Sequence, residues 1–365
     1  MKTIVVSGIN LFRGGTLKIM QDCIAALSAF ADRNFKIIAL VHDEKLFPVY
    51  DNVQYIACPE SRKSWIYRLY YEYFGFMKLS KQLKPYAWFS LHDTTPNVIA
   101  EKRMVYCHNT FPFFHAGWKN WFIQPRIVMF SLFSRYIHQI NIRKNTFVIV
   151  QQEWLREAFE KMFSIHNVIV SLPVQTNELT VNDYAPLPVS KEKILFFYPA
   201  TPMIHKNYEV ICKAAGLLEK AGISNFEVLL TFHGNESRYT KKIVNSCRYL
   251  KSIRFVGFLN REELNETYRN CDCLLFPSKV ESWGLPVSEA KALNKPVLIS
   301  DLPYAKETVG KYNQVKFFDP DNARQLFGIM SRFIAGDLVY DETEEVEYKE
   351  PFTKNWDELI SFLFS

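Results

Sequence analysis

Cys273-Leu274-Leu275-Phe276-Pro277-Ser278-Lys279-Val280-Glu281-Ser282-Trp283-Gly284-Leu285-Pro286-Val287-Ser288-Glu289-Ala290 reads as a buried strand, a loop and a helix in immediate succession. The apolar run over 273–276 gives the strand. Pro286 marks the first helical position, where a missing N–H is no loss. The unpaired first-turn amides of that helix point at whatever lies above the strand ends, and with the helix dipole they make an anion site. Gly284 lets a ligand approach the backbone. Glu289, one turn in, is an odd neighbour for phosphate but a good acceptor for two vicinal hydroxyls, such as those of a ribose. Glu281 lies on the loop ahead of the helix, where it would face the same ligand.

The same alternation extends on both sides. Strands are predicted near 193–198, 226–232, 253–256, 296–299 and 314–318, with helices at about 207–220, 236–249, 261–270, 303–309, 322–333 and 353–364. Asn260 followed by Glu263 is an N-cap with an N3 acid. Upstream, strands are expected at 3–7, 36–41, 86–90, 103–107 and 146–150, with Gly14-Gly15 in a loop before a helix over 16–30. Alternating strands and helices imply βαβ units and mostly parallel sheets. The 365 residues are enough for two such domains, and the Pro-containing, polar stretch 171–193 reads as their linker.

Composition excludes several classes. With 48% hydrophobic and 22% charged residues the chain is globular. A net charge of +6 suits phosphate ligands or an anionic membrane and is too mild to argue for nucleic acid. The seven cysteines are scattered, without a CxxC pattern, and are expected as reduced thiols. Cys271 and Cys273 are expected on one face of a strand. The N-terminus has no signal-peptide pattern, and no apolar run reaches the ~18 residues of a membrane span. A cytoplasmic protein is expected.

A second constellation follows the first strand of the C-terminal half: Tyr198-Pro199-Ala200-Thr201-Pro202-Met203-Ile204-His205-Lys206-Asn207. A cation at a helix entrance, as at Lys206, is unfavourable to the dipole unless an anion is shared. Taken with PSxxExxGLPxxEA over 277–290, this pattern resembles the retaining, family-4-type (group 1) glycosyltransferases of the GT-B fold. The resemblance is strong over about 190–365 and faint before that.

It implies two Rossmann-like domains with parallel sheets facing a central cleft. An acceptor domain would span 1–180, completed by a C-terminal helix at 352–365, and a nucleotide-sugar domain 181–350. It implies that Lys206 binds the donor diphosphate and Glu281 the donor-sugar hydroxyls. Glu289 would hold the ribose, with Gly284, Leu285, Pro286 and Val287 against sugar or diphosphate. Gly257, Phe258 and Leu259 would meet the nucleobase, and Gly14 and Gly15 would approach the diphosphate. His108, in Tyr106-Cys107-His108-Asn109, would be the cleft histidine. An Arg that many relatives carry shortly before the Lys is replaced here by Ala200. The implied reaction is a metal-independent, front-face transfer of a hexosyl group from a nucleotide diphosphate sugar to a glycan or lipid-linked acceptor. The leaving diphosphate would help deprotonate the acceptor hydroxyl, and no cofactor would be needed. The rival readings are a GT-B epimerase or phosphorylase, and a non-catalytic sugar-nucleotide-binding subunit.

Asp319-Pro320-Asp321 resembles an Asp-x-Asp metal motif, but it follows a strand and precedes a helix, where Asp is an ordinary cap. Between Glu101 and Glu153 there is no acid. Lys102, Arg103, Lys119, Arg126, Arg135, Arg143 and Lys144 alternate there with Trp118, Trp121, Phe122, Phe130, Phe133 and Tyr136. A second aromatic and basic stretch runs over 61–89. Such segments suit peripheral contact with an anionic membrane; the other reading is that the aromatics are core.

Overall fold

A computed structural model describes residues 2–30, 34–173 and 192–365, so most of the expected linker lies outside the described residues. Two compact units emerge. One comprises 1–112, 133–174 and 348–365, the other 113–132 and 175–347. Residues 113–132, expected in the first domain, thus cluster with the second unit.

The elements in chain order begin with β1 (Lys2–Ser7), α1 (Gly14–Phe30), β2 (Phe35–Val41), β3 (Val53–Ala57), α2 (Trp65–Tyr70) and α3 (Phe76–Leu83). Next come β4 (Ala87–Ser90), β5 (Lys102–Tyr106), α4 (Pro125–Gln139), β6 (Phe147–Val150), α5 (Glu153–Phe163) and β7 (Val168–Ser171). Beyond the undescribed stretch lie β8 (Ile194–Tyr198), α6 (Tyr208–Lys220), β9 (Phe226–Leu230), α7 (Arg238–Cys247), β10 (Ile253–Phe255) and α8 (Arg261–Asn270). The chain finishes with β11 (Cys273–Phe276), α9 (Leu285–Ala292), β12 (Val297–Ser300), α10 (Pro303–Val309), β13 (Val315–Phe318), α11 (Ala323–Ala335), β14 (Phe352–Thr353) and α12 (Trp356–Phe364).

The first unit is built on a sheet in the order β14-β7-β6-β5-β4-β1-β2-β3, the second on β10-β9-β8-β11-β12-β13. Every strand pair in both sheets is parallel. In the first unit α12 packs beside α1 over a core containing Ile4, Val6, Phe89 and Met104. Trp356 is stacked on Tyr106 with 5.3 Å between ring centroids.

Several local expectations are corrected. Gly14 and Gly15 are not in a loop: α1 begins at Gly14, whose φ of +59° sets the turn into the helix. Helix α9 begins at Leu285, so Pro286 is its second residue. Cys271 is the C-cap of α8 and not a strand residue. All seven cysteines are buried free thiols. Strands β3, β7 and β14 escaped the sequence because they are short and, at β3 and β14, only partly buried, which blurs their alternation. The aromatics split between the two readings. Tyr106, Phe76 and Trp88 are core, whereas Trp65, Tyr70, Phe74, Trp118, Trp121, Phe122, Phe133 and Tyr136 stand exposed. No described helix is long and apolar enough to cross a membrane.

Candidate active site

In the second sheet the strand order reverses between β8 and its neighbour β11. Open parallel sheets bind ligands beyond the carboxyl ends of the strands at such a switch point. Lys206 comes off β8 and Glu281 off β11, and the two meet there.

A network of long-range hydrogen bonds holds the two loops together. The Tyr198 hydroxyl donates to the Lys206 carbonyl at 3.0 Å and lies 2.9 Å from the Ser278 Oγ. Burial pushes that phenol far up, so it stays a protonated donor. The Lys279 amide donates to the His205 carbonyl at 2.8 Å. Asn207, at φ +57°, donates its side-chain amide to Pro277 O at 3.2 Å and Pro320 O at 2.7 Å. The Tyr304 hydroxyl closes the set on Ser278 O at 2.7 Å. With both loops fixed, Lys206 Nζ lies 2.5 Å from Glu281 Oε1, and the two side chains are only 15% and 14% exposed. Lys206 is thus no solvated surface lysine. His205 next to it is held neutral, first by burial and then by the Lys206 cation.

Gly284 is the N-cap of α9 at φ +97°, and a Cβ there would sit 3.2 Å from the Phe276 ring. Thr308 donates its hydroxyl to the Trp283 carbonyl, and Trp283 Nε1 donates to Ser288 Oγ at 2.9 Å. The loop carrying Glu281 is therefore anchored at both ends. Glu289, in the second turn of α9, points its carboxylate at Arg261, with Oε1 2.7 Å from Nη1.

Beside this lies a cavity of about 450 Å³ lined by Ala200, Thr201, Thr231, Phe232, Phe258 and Leu259, among others. Phe258 is 90% exposed at its edge. Gly257 turns the chain into it at φ +79°, and a Cβ there would lie 2.2 Å from the His233 ring.

Lys206, Glu281, Gly284, Leu285, Pro286, Val287 and Glu289 are thus gathered on two adjacent strand ends, with Gly257, Phe258 and Leu259 on the loop after β10. Gly14, Gly15 and His108 belong to the first unit. There both glycines are exposed. His108 follows β5 on a loop fixed by Asp93, whose Oδ1 accepts the His108 and Asn109 amides at 2.8 and 2.9 Å. The His108 ring Nδ1 lies 3.6 Å from the same oxygen.

Asp319 and Asp321 do not form a cap. Asn322 caps α11 by accepting from the Gln325 amide, while Asp319 Oδ1 accepts the Asp321 amide at 2.8 Å. The Asp321 carboxylate is paired with Lys279. Two residues that hold expected site residues went unread in the sequence, Asp93 beside His108 in the first unit and Arg261 beside Glu289 in the second. Arg261 did carry a signal, because it is a cation at the first position of α8, the same dipole mismatch that marked Lys206.

Residues 182–349 match the family model described as glycosyl transferases group 1. This stretch, the greater part of the second unit, is a group 1 glycosyl transferase domain. A curated relative, the O-antigen chain mannosyltransferase RfbU of Salmonella typhimurium, is 22% identical over 254 residues, 66% of this chain and 66% of that protein. The other curated relatives are covered over only 16–30% of their length. Among solved structures, WaaG, a glycosyltransferase involved in lipopolysaccharide biosynthesis, matches with a TM-score of 0.67 at 13% identity, over 91% of this chain and 90% of that one. HepE of Anabaena in complex with UDP-glucose matches at 0.62 and 14%, over 92% and 90%. The fold is GT-B, two Rossmann-like α/β units with parallel sheets.

Proposed function

We propose that this glycosyltransferase moves a hexosyl group, with retention, from a UDP- or GDP-sugar to a glycan or lipid-linked glycan acceptor in surface polysaccharide synthesis. The observation that carries the reading is the Lys206–Glu281 pair at the β8/β11 switch point, beside the amide-rich start of α9. Two similar proteins support it: RfbU is an O-antigen chain mannosyltransferase, and HepE is found in complex with UDP-glucose.

In the reaction the bond from the anomeric carbon to the leaving phosphate oxygen breaks, and a bond to the acceptor oxygen forms on the same face. The acceptor proton passes to the departing diphosphate. Lys206 and the α9 amides stabilise the charge growing on that diphosphate, the usual means by which a fixed cation and oriented dipoles lower such a barrier. Glu281 takes sugar hydroxyls and Glu289 the ribose, so both acids orient the donor and neither attacks it. Asp321 is engaged by Lys279, which favours a metal-independent reaction; activity should survive EDTA, and Asp319→Asn should be near neutral.

The exposed rings on and around α4, with exposed Arg126, Arg135, Arg143 and Lys144, support peripheral attachment to the anionic cytoplasmic leaflet, where a lipid-linked acceptor would lie. The test of the main reading is a thermal-shift screen against UDP-, GDP-, ADP- and dTDP-sugars. A donor at 100 times its Kd should stabilise the fold by about 2.7 kcal/mol, and its hydrolysis or transfer should then be followed by product analysis. Stabilisation without any turnover would favour the non-catalytic binding subunit, and no stabilisation by any donor would overturn the reading.

A further inference from the structure

We infer that Arg261 is a positioning residue of the donor site, one that sets the Glu289 carboxylate for the ribose; the inference rests on the proposed ribose role of Glu289. Three observations place it. Arg261 Nη1 lies 2.7 Å from Glu289 Oε1, and the Glu289 side chain is only 12% exposed while that of Arg261 is 43% exposed. Arg261 follows Leu259 by two residues, on a helix whose start is locked by a full capping box between Asn260 and Glu263. The ion pair thus ties the segment proposed to meet the nucleobase to the helix proposed to hold the ribose. Below the carboxylate lies the fully buried Tyr268 ring, whose phenol burial and then Glu289 push far up.

The chemistry explains why such a clamp is useful. A carboxylate that takes both hydroxyls of a vicinal diol must offer its oxygens in one fixed direction. A glutamate on a helix surface has several rotors and would have to be ordered by the ligand. Held by Arg261 on its open side and backed by Tyr268, it is ordered on folding instead, and binding does not carry that loss. A guanidinium suits the task because its planar fork fixes direction, which a lysine ammonium does not.

The test is calorimetric titration of UDP and GDP, each beside its 2′-deoxy form, into wild type, Arg261→Gln, Arg261→Lys and Glu289→Gln. The ratio of the two affinities on one protein is insensitive to any general loss of stability. Wild type should prefer the ribonucleotide about tenfold or more, the scale of a hydrogen bond to a charged group. Arg261→Gln should reduce the preference to about twofold, and Arg261→Lys should leave it in between. If Arg261→Gln keeps the wild-type ratio while Glu289→Gln loses it, Glu289 holds the ribose unaided and the positioning role is overturned. If Glu289→Gln also keeps the ratio, or wild type shows none, the ribose reading of Glu289 falls and Arg261 with it.

Discussion

Replacing Lys206 with Ala separates a catalytic cation from a structural ion pair. The pair is close, 2.5 Å, and its side chains are 15% and 14% exposed. A surface pair contributes about 0–1 kcal/mol, and stranding one partner of a fully buried pair costs about 3–5 kcal/mol. A pair this far from solvent but still in reach of water falls between, so Lys206→Ala should lose about 1–2 kcal/mol of stability by leaving Glu281 without its cation. The melting temperature should drop by roughly 3–6 °C. The effect on turnover should be larger, about 10²–10³-fold in kcat, the scale for removing one fixed charge-stabilising group. Adding Glu281→Gln to Lys206→Ala removes the stranded carboxylate, so stability should partly return while turnover stays low. The assays are thermal unfolding and donor turnover on the two single variants and the double. Near-normal kcat in Lys206→Ala, with only the stability change present, would refute the catalytic role and leave a structural pair.

The remaining expectations address other parts of the site and surface. Glu289→Ala should weaken the bare nucleoside diphosphate, whereas Glu281→Ala should spare it and weaken only the sugar nucleotide; equal losses in calorimetry would end that division of roles. Gly257→Ala places a side chain at φ +79° and against the His233 ring. It should lower stability by about 1–3 kcal/mol and distort the loop carrying Phe258, and an unchanged melting curve with unchanged nucleotide affinity would contradict this. Neutralising Arg126, Arg135, Arg143 and Lys144 together should weaken flotation with anionic liposomes at low salt and leave donor binding intact. A wild type that stays out of the liposome fraction even at low salt removes the membrane part of the reading.

The second unit was the more legible half because its signals are local. Strand β11 is four consecutive buried residues, α8 carries its own capping box, and Gly284 and Pro286 mark the start of α9 within one residue. Such features are set by neighbours a few positions apart, so the chain itself specifies them and with them the α/β class. The glycosyltransferase motif is legible for the same reason, since its acids, glycine and proline sit on one strand–loop–helix unit. Pairing across long separations is a different matter. Lys206 meets Glu281 across 75 positions, and Glu289 meets Arg261 across 28. The first contact exists because β8 and β11 become neighbours at the point where strand order reverses, and the second because α8 and α9 are brought together in the folded unit. Whether an aromatic residue is core or surface is likewise undecided by its type: Tyr106 and Trp88 are buried under other elements, whereas Trp118 and Phe122 stand exposed. By itself the chain determined which groups could act and on which local element each would lie. The tertiary structure decided which charges face one another, because burial and ion pairing depend on distances that no local periodicity encodes.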